Sequence, residues 1–149
     1  MPQDVKLEQG VNDIFDIPVI NSDLATVDGV ETAIGVSIYT DARAPSGIVK
    51  DAFRRRGWSG NALTSQENYE LGSILWTLDQ ARLKQNTLNT GEDIVRRSLQ
   101  YMIDDGIADT IDVIMEQTGT RQGTITVVLF KGIEVVGRYT TVWLRTQPI

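Results

Sequence analysis

Residues 110–144, TIDVIMEQTGTRQGTITVVLFKGIEVVGRYTTVWL, decide the fold because their apolar side chains recur at every second position. A period of two is typical of β-strands that bury one face. The alternating positions are Ile111, Val113 and Met115 in the first run, Ile125, Val127 and Leu129 in the second, and Val135, Tyr139, Thr141 and Trp143 in the third. Turn residues at 118–119 and 131–132 separate the runs, and Gly137 permits a bulge. The sequence therefore predicts a three-stranded antiparallel meander.

Two helices are predicted upstream of this sheet from apolar side chains spaced three or four residues apart. The first covers about residues 31–42 and ends before Pro45, and the second covers residues 69–83. The apolar positions are Val30, Ile34 and Ile38 in the first helix, and Leu71, Ile74, Leu75 and Leu78 in the second.

A third predicted helix ends at the turn sequence DDG, where Gly106 can adopt the left-handed C-terminal cap. Its start has two alternatives. Asn86 caps a long helix that contains Gly91, at a cost of about 1 kcal/mol relative to alanine, or Asn89 caps a shorter helix with Glu92 at the third position.

The rest of the chain is less regular. Residues 11–19 predict one short edge strand, so residues 1–20 are a possible extended arm, and residues 43–68 predict a long loop suited to contacts. The sum is an α+β fold in a single domain over residues 1–149: a short N-terminal strand or arm, three helices, then the meander, with the helices packed on one sheet face.

Composition excludes several kinds of chemistry. The 149 residues contain no cysteine and no histidine, which excludes disulfides, thiolate nucleophiles, Cys/His zinc sites and histidine triads. No cofactor, metal or catalytic residue is assigned. The net charge of −6 arises in residues 1–53, because residues 54–149 carry eleven charges of each sign. Phosphate backbones repel such a chain, and no apolar run approaches the 18 or so residues that cross a bilayer. Neither nucleic acid nor membrane is an expected partner.

One basic cluster, Arg54-Arg55-Arg56, stands out in the long loop beside Trp58. The arginines form an anion site, a partner for carboxylates of another chain, or a solvated loop. Trp58 is an interface anchor or a lid over the domain's own core, since aromatic and arginine side chains are enriched at interfaces. Trp76 and Trp143 are more simply packing residues whose indole N–H finds one partner.

Three segments together resemble the Mu-type baseplate proteins of contractile-tailed bacteriophages, relatives of the wedge and sheath-initiator proteins. They are RRGWSGN at 55–61, LGSILWTL at 71–78 and MIDDGIA at 102–108, and the shorter segments DLAT at 23–26 and SIYTD at 37–41 agree with them. The resemblance covers about residues 10–145. The residues that carry the motif are Gly57, Leu71, Gly72, Ser73, Leu75, Trp76 and Gly106.

The resemblance implies a structural role in the baseplate wedge around the tail hub, where the first ring of sheath subunits assembles. It implies the tail sheath protein and other wedge and hub proteins as partners, several copies around the tail axis, and a place in the virion tail after assembly in the host cytoplasm. A Glu-Pro-Arg docking triplet of the wider family is absent, because residues 106–108 read Gly-Ile-Ala. Its docking role is therefore not transferred to these positions.

Sheath subunits of such tails are joined through exchanged strands, and an open sheet edge accepts another strand through its unpaired backbone groups. We expect the strand at 135–144, or its neighbour at 125–130, to form that edge, with Tyr139, Thr141 and Trp143 as interface candidates. The alternative is that both edges are covered within the domain.

Two functions of other classes are weighed against this role. A peptidoglycan-cleaving glycosidase needs paired carboxylates, for which Glu67 with Glu70, or Asp104 with Asp105, are the candidates. The simpler interpretation is that the glutamates favour a helix dipole and that the aspartates lie in a solvated turn. A small-molecule binding module has no support from a phosphate-cradling glycine motif or a metal cluster.

Overall fold

The computed structural model describes residues 3–9, 15–16, 19–20, 23–24, 26–63 and 70–144, and it confirms the α+β class. Short strands come first, helices follow, and a three-stranded sheet comes last. The N-terminal strands are β1 Gln3–Val5, β2 Glu8–Gln9, β3 Phe15–Asp16, β4 Val19–Ile20, β5 Asp23–Leu24 and β6 Thr26–Asp28. The later elements are α1 Gly29–Tyr39, α2 Gln85–Ser98, α3 Gln100–Asp104, β7 Thr110–Gln117, β8 Gln122–Lys131 and β9 Glu134–Leu144.

The large sheet is the predicted meander, in the order β7-β8-β9 with both pairs antiparallel. Val113 pairs with Val127, which in turn pairs with Tyr139, so three inward side chains lie in one row. Gly132 has a φ of 63° in the turn between β8 and β9, a backbone conformation that glycine adopts at little cost. Its N–H also donates to Asp109 Oδ2 at 2.9 Å.

A bulge in β9 corrects the predicted face of that strand. Leu129 pairs with Gly137 and Phe130 pairs with Val135, so Val136 is the extra residue. Because an inserted residue shifts the alternation by one position, Val135 lies on the outer face and is exposed. Val136 packs against the core in its place. The prediction that Val135 shares a face with Tyr139 was therefore wrong.

The first helix is confirmed, and α1 buries Val30, Ile34 and Ile38 as its four-residue spacing predicts. It ends at Tyr39, three residues before the predicted end. The helix packs against β9, and Gly35 provides space there, since a Cβ on it would lie 3.0 Å from the Tyr139 hydroxyl.

The helix predicted over residues 69–83 is wrong; the described part of this segment contains one 3-10 turn, Leu75–Leu78. Gly72 has a φ of 115°, outside the helical region. Ser73 forms a parallel bridge with Asp41, and its hydroxyl donates to the Ile38 carbonyl at 2.6 Å. These contacts with the end of α1 require a non-helical backbone at residues 72–73. Tertiary contacts therefore decide the structure here, and the helical spacing of the apolar residues does not.

The third predicted helix is divided into α2 and α3 at Leu99. The longer alternative is nearer the structure, because α2 begins at Gln85 and contains Gly91, although its N-cap is Lys84. Its end agrees with the prediction, since Gly106 has a φ of 75°. There the N–H of Gly106 donates to the carbonyl of Ile103 and the N–H of Ile107 donates to that of Met102, the pair of bonds that defines a Schellman cap.

The remaining segments are short and locally paired. β1 pairs with β6, β2 with β3, and β4 with β5, all antiparallel. Of the strand predicted at 11–19, residues 11–14 and 17–18 lie outside the described residues, and 15–16 and 19 belong to these short pairs. The loop predicted at 43–68 is irregular over its described part, with 3-10 turns at Ala52–Arg54 and Ser59–Leu63.

The core lies between the helices and the inner face of the sheet, which places the helices on one sheet face as predicted. Its side chains come from α1, from α2 and α3, from the inward positions of all three long strands, and from Leu75, Leu99 and Ala108 in the connecting segments. They are Val30, Ile34, Ile38, Leu75, Leu88, Ile94, Val95, Leu99, Met102, Ala108, Ile111, Val113, Met115, Ile125, Val127, Leu129 and Trp143.

Candidate functional site

Residues 43–58, here called the arginine loop, hold one group of predicted interface residues. Arg55 is bound within the loop, because its Nε donates to the Val49 carbonyl at 2.8 Å and its Nη2 to the Lys50 carbonyl at 3.1 Å. Its own carbonyl accepts from the Ala44 N–H at 2.9 Å. Arg54 has a looser ion pair, 3.5 Å from Asp51, and 84% of its side chain is exposed.

Arg56 binds the arginine loop to the segment after α1. Its guanidinium carbon lies 4.6 Å from the centre of the Trp76 ring, and its Nη1 lies 3.0 Å from Asp41 Oδ2. Trp76 in turn donates its indole N–H to the Ala42 carbonyl at 2.9 Å, which is the single partner expected of a packing tryptophan. The three guanidinium groups therefore bond in different directions, and their geometry does not form a shared anion site.

The exposed apolar side chains of the loop include two that the sequence interpretation missed. Phe53 is 100% exposed and Ile48 is also exposed, and both line an open groove of about 700 Å³ together with Arg54 and Trp76. Trp58 is 47% exposed and lies outside the core of the described residues, which favours the anchor interpretation over the lid. The sequence did contain a signal for this surface: Phe53 is a large apolar side chain in a loop and belongs to neither a strand period nor a helix period.

The candidates on β9 lie on the inner face of the sheet. Thr141 and Trp143 are buried, and Tyr139 is half-buried. Burial raises the pKa of Tyr139, an effect that the Thr141 hydroxyl partly offsets and the Glu31 carboxylate reinforces. These side chains pack inside the chain, so a neighbour would meet the backbone of β9 and not these groups.

The sheet order decides which strands form edges. β8 pairs on both sides, so the expectation that residues 125–130 form an open edge was wrong. Within the described ranges β9 is an edge strand, as the other expectation held, and β7 is the second edge. A side chain from outside the sheet bonds to each: the N–H of Met115 in β7 donates to Glu92 Oε1 at 3.0 Å.

The edge of β9 is bonded by Gln9. The Val142 N–H donates to Gln9 Oε1 at 2.9 Å, and Gln9 Nε2 donates to the Val142 carbonyl. Because backbone groups of alternate residues point to the same side of an antiparallel strand, those of Arg138 and Thr140 also face outward. Neither residue has a hydrogen bond on that side within the described part of the chain.

The motif residues connect segments that lie far apart in sequence. Gly57 has a φ of 123° beside Arg43. The amide group of Asn61 bonds the backbone of Leu71 through Oδ1 at 2.8 Å and Nδ2 at 3.1 Å. With the Ser73 and Arg56 contacts, these bonds join residues 55–61, residues 71–78 and the end of α1 into one unit.

The described residues give little support to the enzymatic alternative. Glu70 is exposed and accepts from the Arg43 N–H at 3.1 Å, and Asp104 is exposed and accepts from Gln100 at 3.2 Å. Glu67 lies outside the described residues. Across the described ranges, no group of three or more acidic, histidine or cysteine side chains is placed to hold a metal ion. No helix of that part is long and apolar enough to cross a membrane.

Comparison with known proteins places the chain in a family. A family model described as phage protein GP46 matches residues 30–136, more than two thirds of the chain. The baseplate protein gp46 of Escherichia phage Mu is 31% identical over 104 residues, 68% of this chain and 70% of that protein. The Mu-like prophage FluMu protein gp46 of Haemophilus influenzae is 31% identical over 87 residues, 58% of this chain and 57% of that protein. The chain therefore belongs to the GP46 family of phage proteins.

Proposed function

We propose that the chain is a structural component of a phage tail baseplate, where it forms part of the wedge and helps to initiate the sheath. The observation that carries the proposal is the match over 68% of the chain to a relative named as a baseplate protein. Its partners are the tail sheath protein and other wedge and hub proteins, with several copies around the tail axis. Its place is the virion tail baseplate, assembled in the host cytoplasm.

Initiation works through addition of a partner strand to β9. Arg138 and Thr140 direct backbone N–H and C=O groups away from β8, and a strand laid beside them would bond to these groups. The side chains of Tyr139 and Thr141 stay in the core and keep β9 in place while the partner docks. Affinity then comes from main-chain bonds, and register comes from the side chains of the added strand.

Surface docking on other wedge proteins uses the arginine loop. The loop carries five basic side chains and one acidic side chain in a chain with a net charge of −6. Its internal bonds through Arg55 hold Phe53 outward at full exposure. A rigid aromatic side chain next to an exposed arginine such as Arg54 is the composition of an interface hot spot.

Thr140→Pro tests the strand addition. Proline has no N–H, and at Thr140 it removes an outward donor and leaves the β8–β9 bonds intact. We expect a folded variant, with a melting temperature within a few degrees of wild type, whose sheath initiation on isolated baseplates falls about tenfold, as loss of roughly 1.4 kcal/mol predicts. Thr140→Ala, which keeps the N–H, is the matched control. Equal initiation by the proline variant and wild type would refute strand addition at this edge.

Phe53→Ala tests the docking surface. Phe53 contributes no buried area to the fold, so the variant keeps its stability but loses incorporation into the baseplate, measured by the amount of the chain in purified tails. Ile133→Ala is the control, since Ile133 is 98% exposed in the turn between β8 and β9. If both variants are incorporated like wild type, the arginine loop is not a docking surface.

A further inference from the structure

We infer that Gln9 is a latch on the edge of β9: its side-chain amide holds the place of a partner strand at Val142 and leaves when that strand adds. The inference rests on the proposed function, because it concerns how the same edge is kept closed before assembly. Gln9 is 133 positions away from Val142 in sequence, so no local turn accounts for the contact.

The bonds of Gln9 imitate those of a neighbouring strand. In an antiparallel pair, one strand accepts from an N–H and donates to the C=O of the same facing residue. The Gln9 amide does both to Val142, accepting at Oε1 over 2.9 Å and donating from Nε2. The Thr141 hydroxyl also donates to Gln9 Oε1 at 2.6 Å. The Gln9 side chain thereby bonds to both the N–H and the C=O of Val142, the groups to which an added strand would otherwise bond.

Release of Gln9 leaves few groups without partners. The Tyr39 hydroxyl donates to the Val142 carbonyl at 3.1 Å and lies 2.8 Å from the Thr141 hydroxyl. The Val142 carbonyl and the Thr141 hydroxyl therefore each keep a hydrogen-bond partner, whereas the Val142 N–H loses the one that Gln9 provides. A carbonyl of the added strand replaces that bond, and the freed amide bonds to water. The Val142 N–H is therefore bonded both before and after the exchange, which avoids the cost of an unsatisfied donor.

In the described part of the chain, short strand pairs hold the segment that carries Gln9. β1 pairs with β6 over three residues and β2, which contains Gln9, pairs with β3 over two, and the Thr32 hydroxyl donates to the Val5 carbonyl at 3.1 Å. Val5 and Leu7 are half-buried and lie outside the core cluster of the described residues. Segments with few buried apolar contacts open at lower free energy than the core, so the latch can open while the sheet remains folded.

Gln9→Ala tests the latch first in the isolated chain of residues 1–149. Hydrogen exchange at the Val142 amide is expected to speed up about tenfold, which corresponds to a loss of roughly 1.4 kcal/mol and lies within the range for one hydrogen bond. Exchange at Val127, in the central strand, stays unchanged. Gln100→Ala is the control, because Gln100 bonds only to Asp104 on the surface of α3 within the described residues. Unchanged Val142 exchange in Gln9→Ala would overturn the latch.

Sheath initiation gives the second readout. Gln9→Ala is expected to reach half-maximal initiation at an about fivefold to tenfold lower concentration of purified sheath protein, since the edge is already open. The double variant Gln9→Ala, Thr140→Pro loses this gain. Equal or weaker initiation by Gln9→Ala overturns the latch, whereas normal initiation by Thr140→Pro alone overturns strand addition. The two failures are therefore distinguishable.

Discussion

At the residue scale, Gly72 shows how one position fixes the path of the chain after α1. Its φ of 115° is a conformation that residues with a Cβ rarely adopt. A Cβ built there would lie 2.5 Å from the Thr40 carbonyl oxygen, a backbone atom that cannot turn away. The glycine therefore allows Ser73 to approach the end of α1, where its backbone bonds to Thr40 and Ala42 and its hydroxyl bonds to Ile38.

Gly72→Ala is expected to lower the free energy of unfolding by about 2–4 kcal/mol, because the φ strain and the contact with Thr40 add together. Urea denaturation followed by circular dichroism measures the change. Gly47→Ala is the matched control, since a Cβ on Gly47 meets no atom within 4 Å and its φ is not positive. Equal stability of the two variants would show that the segment does not need its glycine.

Tyr139 links stability to alkaline pH. Its pKa in the folded chain is raised above 10.0, mainly by burial, so the fold favours the neutral phenol. That contribution is complete below about pH 10 and is lost as the pH rises through the folded pKa. Wild type should therefore lose more unfolding free energy than Tyr139→Phe between about pH 8 and pH 11. Parallel curves from urea titrations of the two proteins would contradict this coupling.

At the element scale, the sheet was predictable and one helix was not. The strands at 110–144 alternate strictly, and one buried face fixes their register. In residues 69–83 the apolar side chains fit a helix equally well, but Asn61, Thr40 and Ala42 bond to this segment from other parts of the chain. A local pattern contains no information about such partners, so the 3-10 turn could not be predicted.

Glu92 connects two elements, because its carboxylate on α2 accepts the Met115 N–H on the edge of β7. Glu92→Ala leaves this part-buried N–H without its partner, so we expect a loss of about 1–2 kcal/mol in unfolding free energy. Asp93→Ala is the control, since Asp93 forms an exposed ion pair with Arg96 and its removal costs less than about 0.5 kcal/mol. Chemical denaturation measures the unfolding free energy of both variants. A larger loss of unfolding free energy in Asp93→Ala than in Glu92→Ala would contradict a stabilising role for the Glu92–Met115 bond.

At the scale of the whole molecule, the candidate site was only partly predictable. The cluster at residues 54–56 and Trp58 were visible in sequence, but the pairing of Arg56 with Trp76 and Asp41 needs the folded chain. The contact of Gln9 with Val142 spans most of the described sequence. Neither the residue types nor their spacing predict this contact, because nothing in the sequence distinguishes Gln9 from the other glutamines of the chain.

The whole molecule also makes a prediction about enzymatic activity. Glycoside hydrolysis needs two carboxyl groups about 5–9 Å apart facing one cleft, whereas Glu70, Asp104 and Asp105, the described members of the two candidate pairs, are exposed. Glu70 and Asp104 also bond to their own neighbours. The purified chain should therefore leave the turbidity of a peptidoglycan suspension unchanged, with hen lysozyme as the positive control. Clearing that disappears in Glu70→Gln would restore the enzymatic alternative.

The bulge at Val136 determines how far a partner strand can pair along the edge of β9. Beyond it, the edge from Gly137 to Leu144 is regular and measures about 26 Å at roughly 3.3 Å per residue. Before the bulge, the outward backbone N–H and C=O groups of β9 no longer alternate regularly, so a straight partner strand cannot continue to pair. A partner strand added to β9 as proposed would therefore pair regularly on the Leu144 side of the bulge and stop at Gly137.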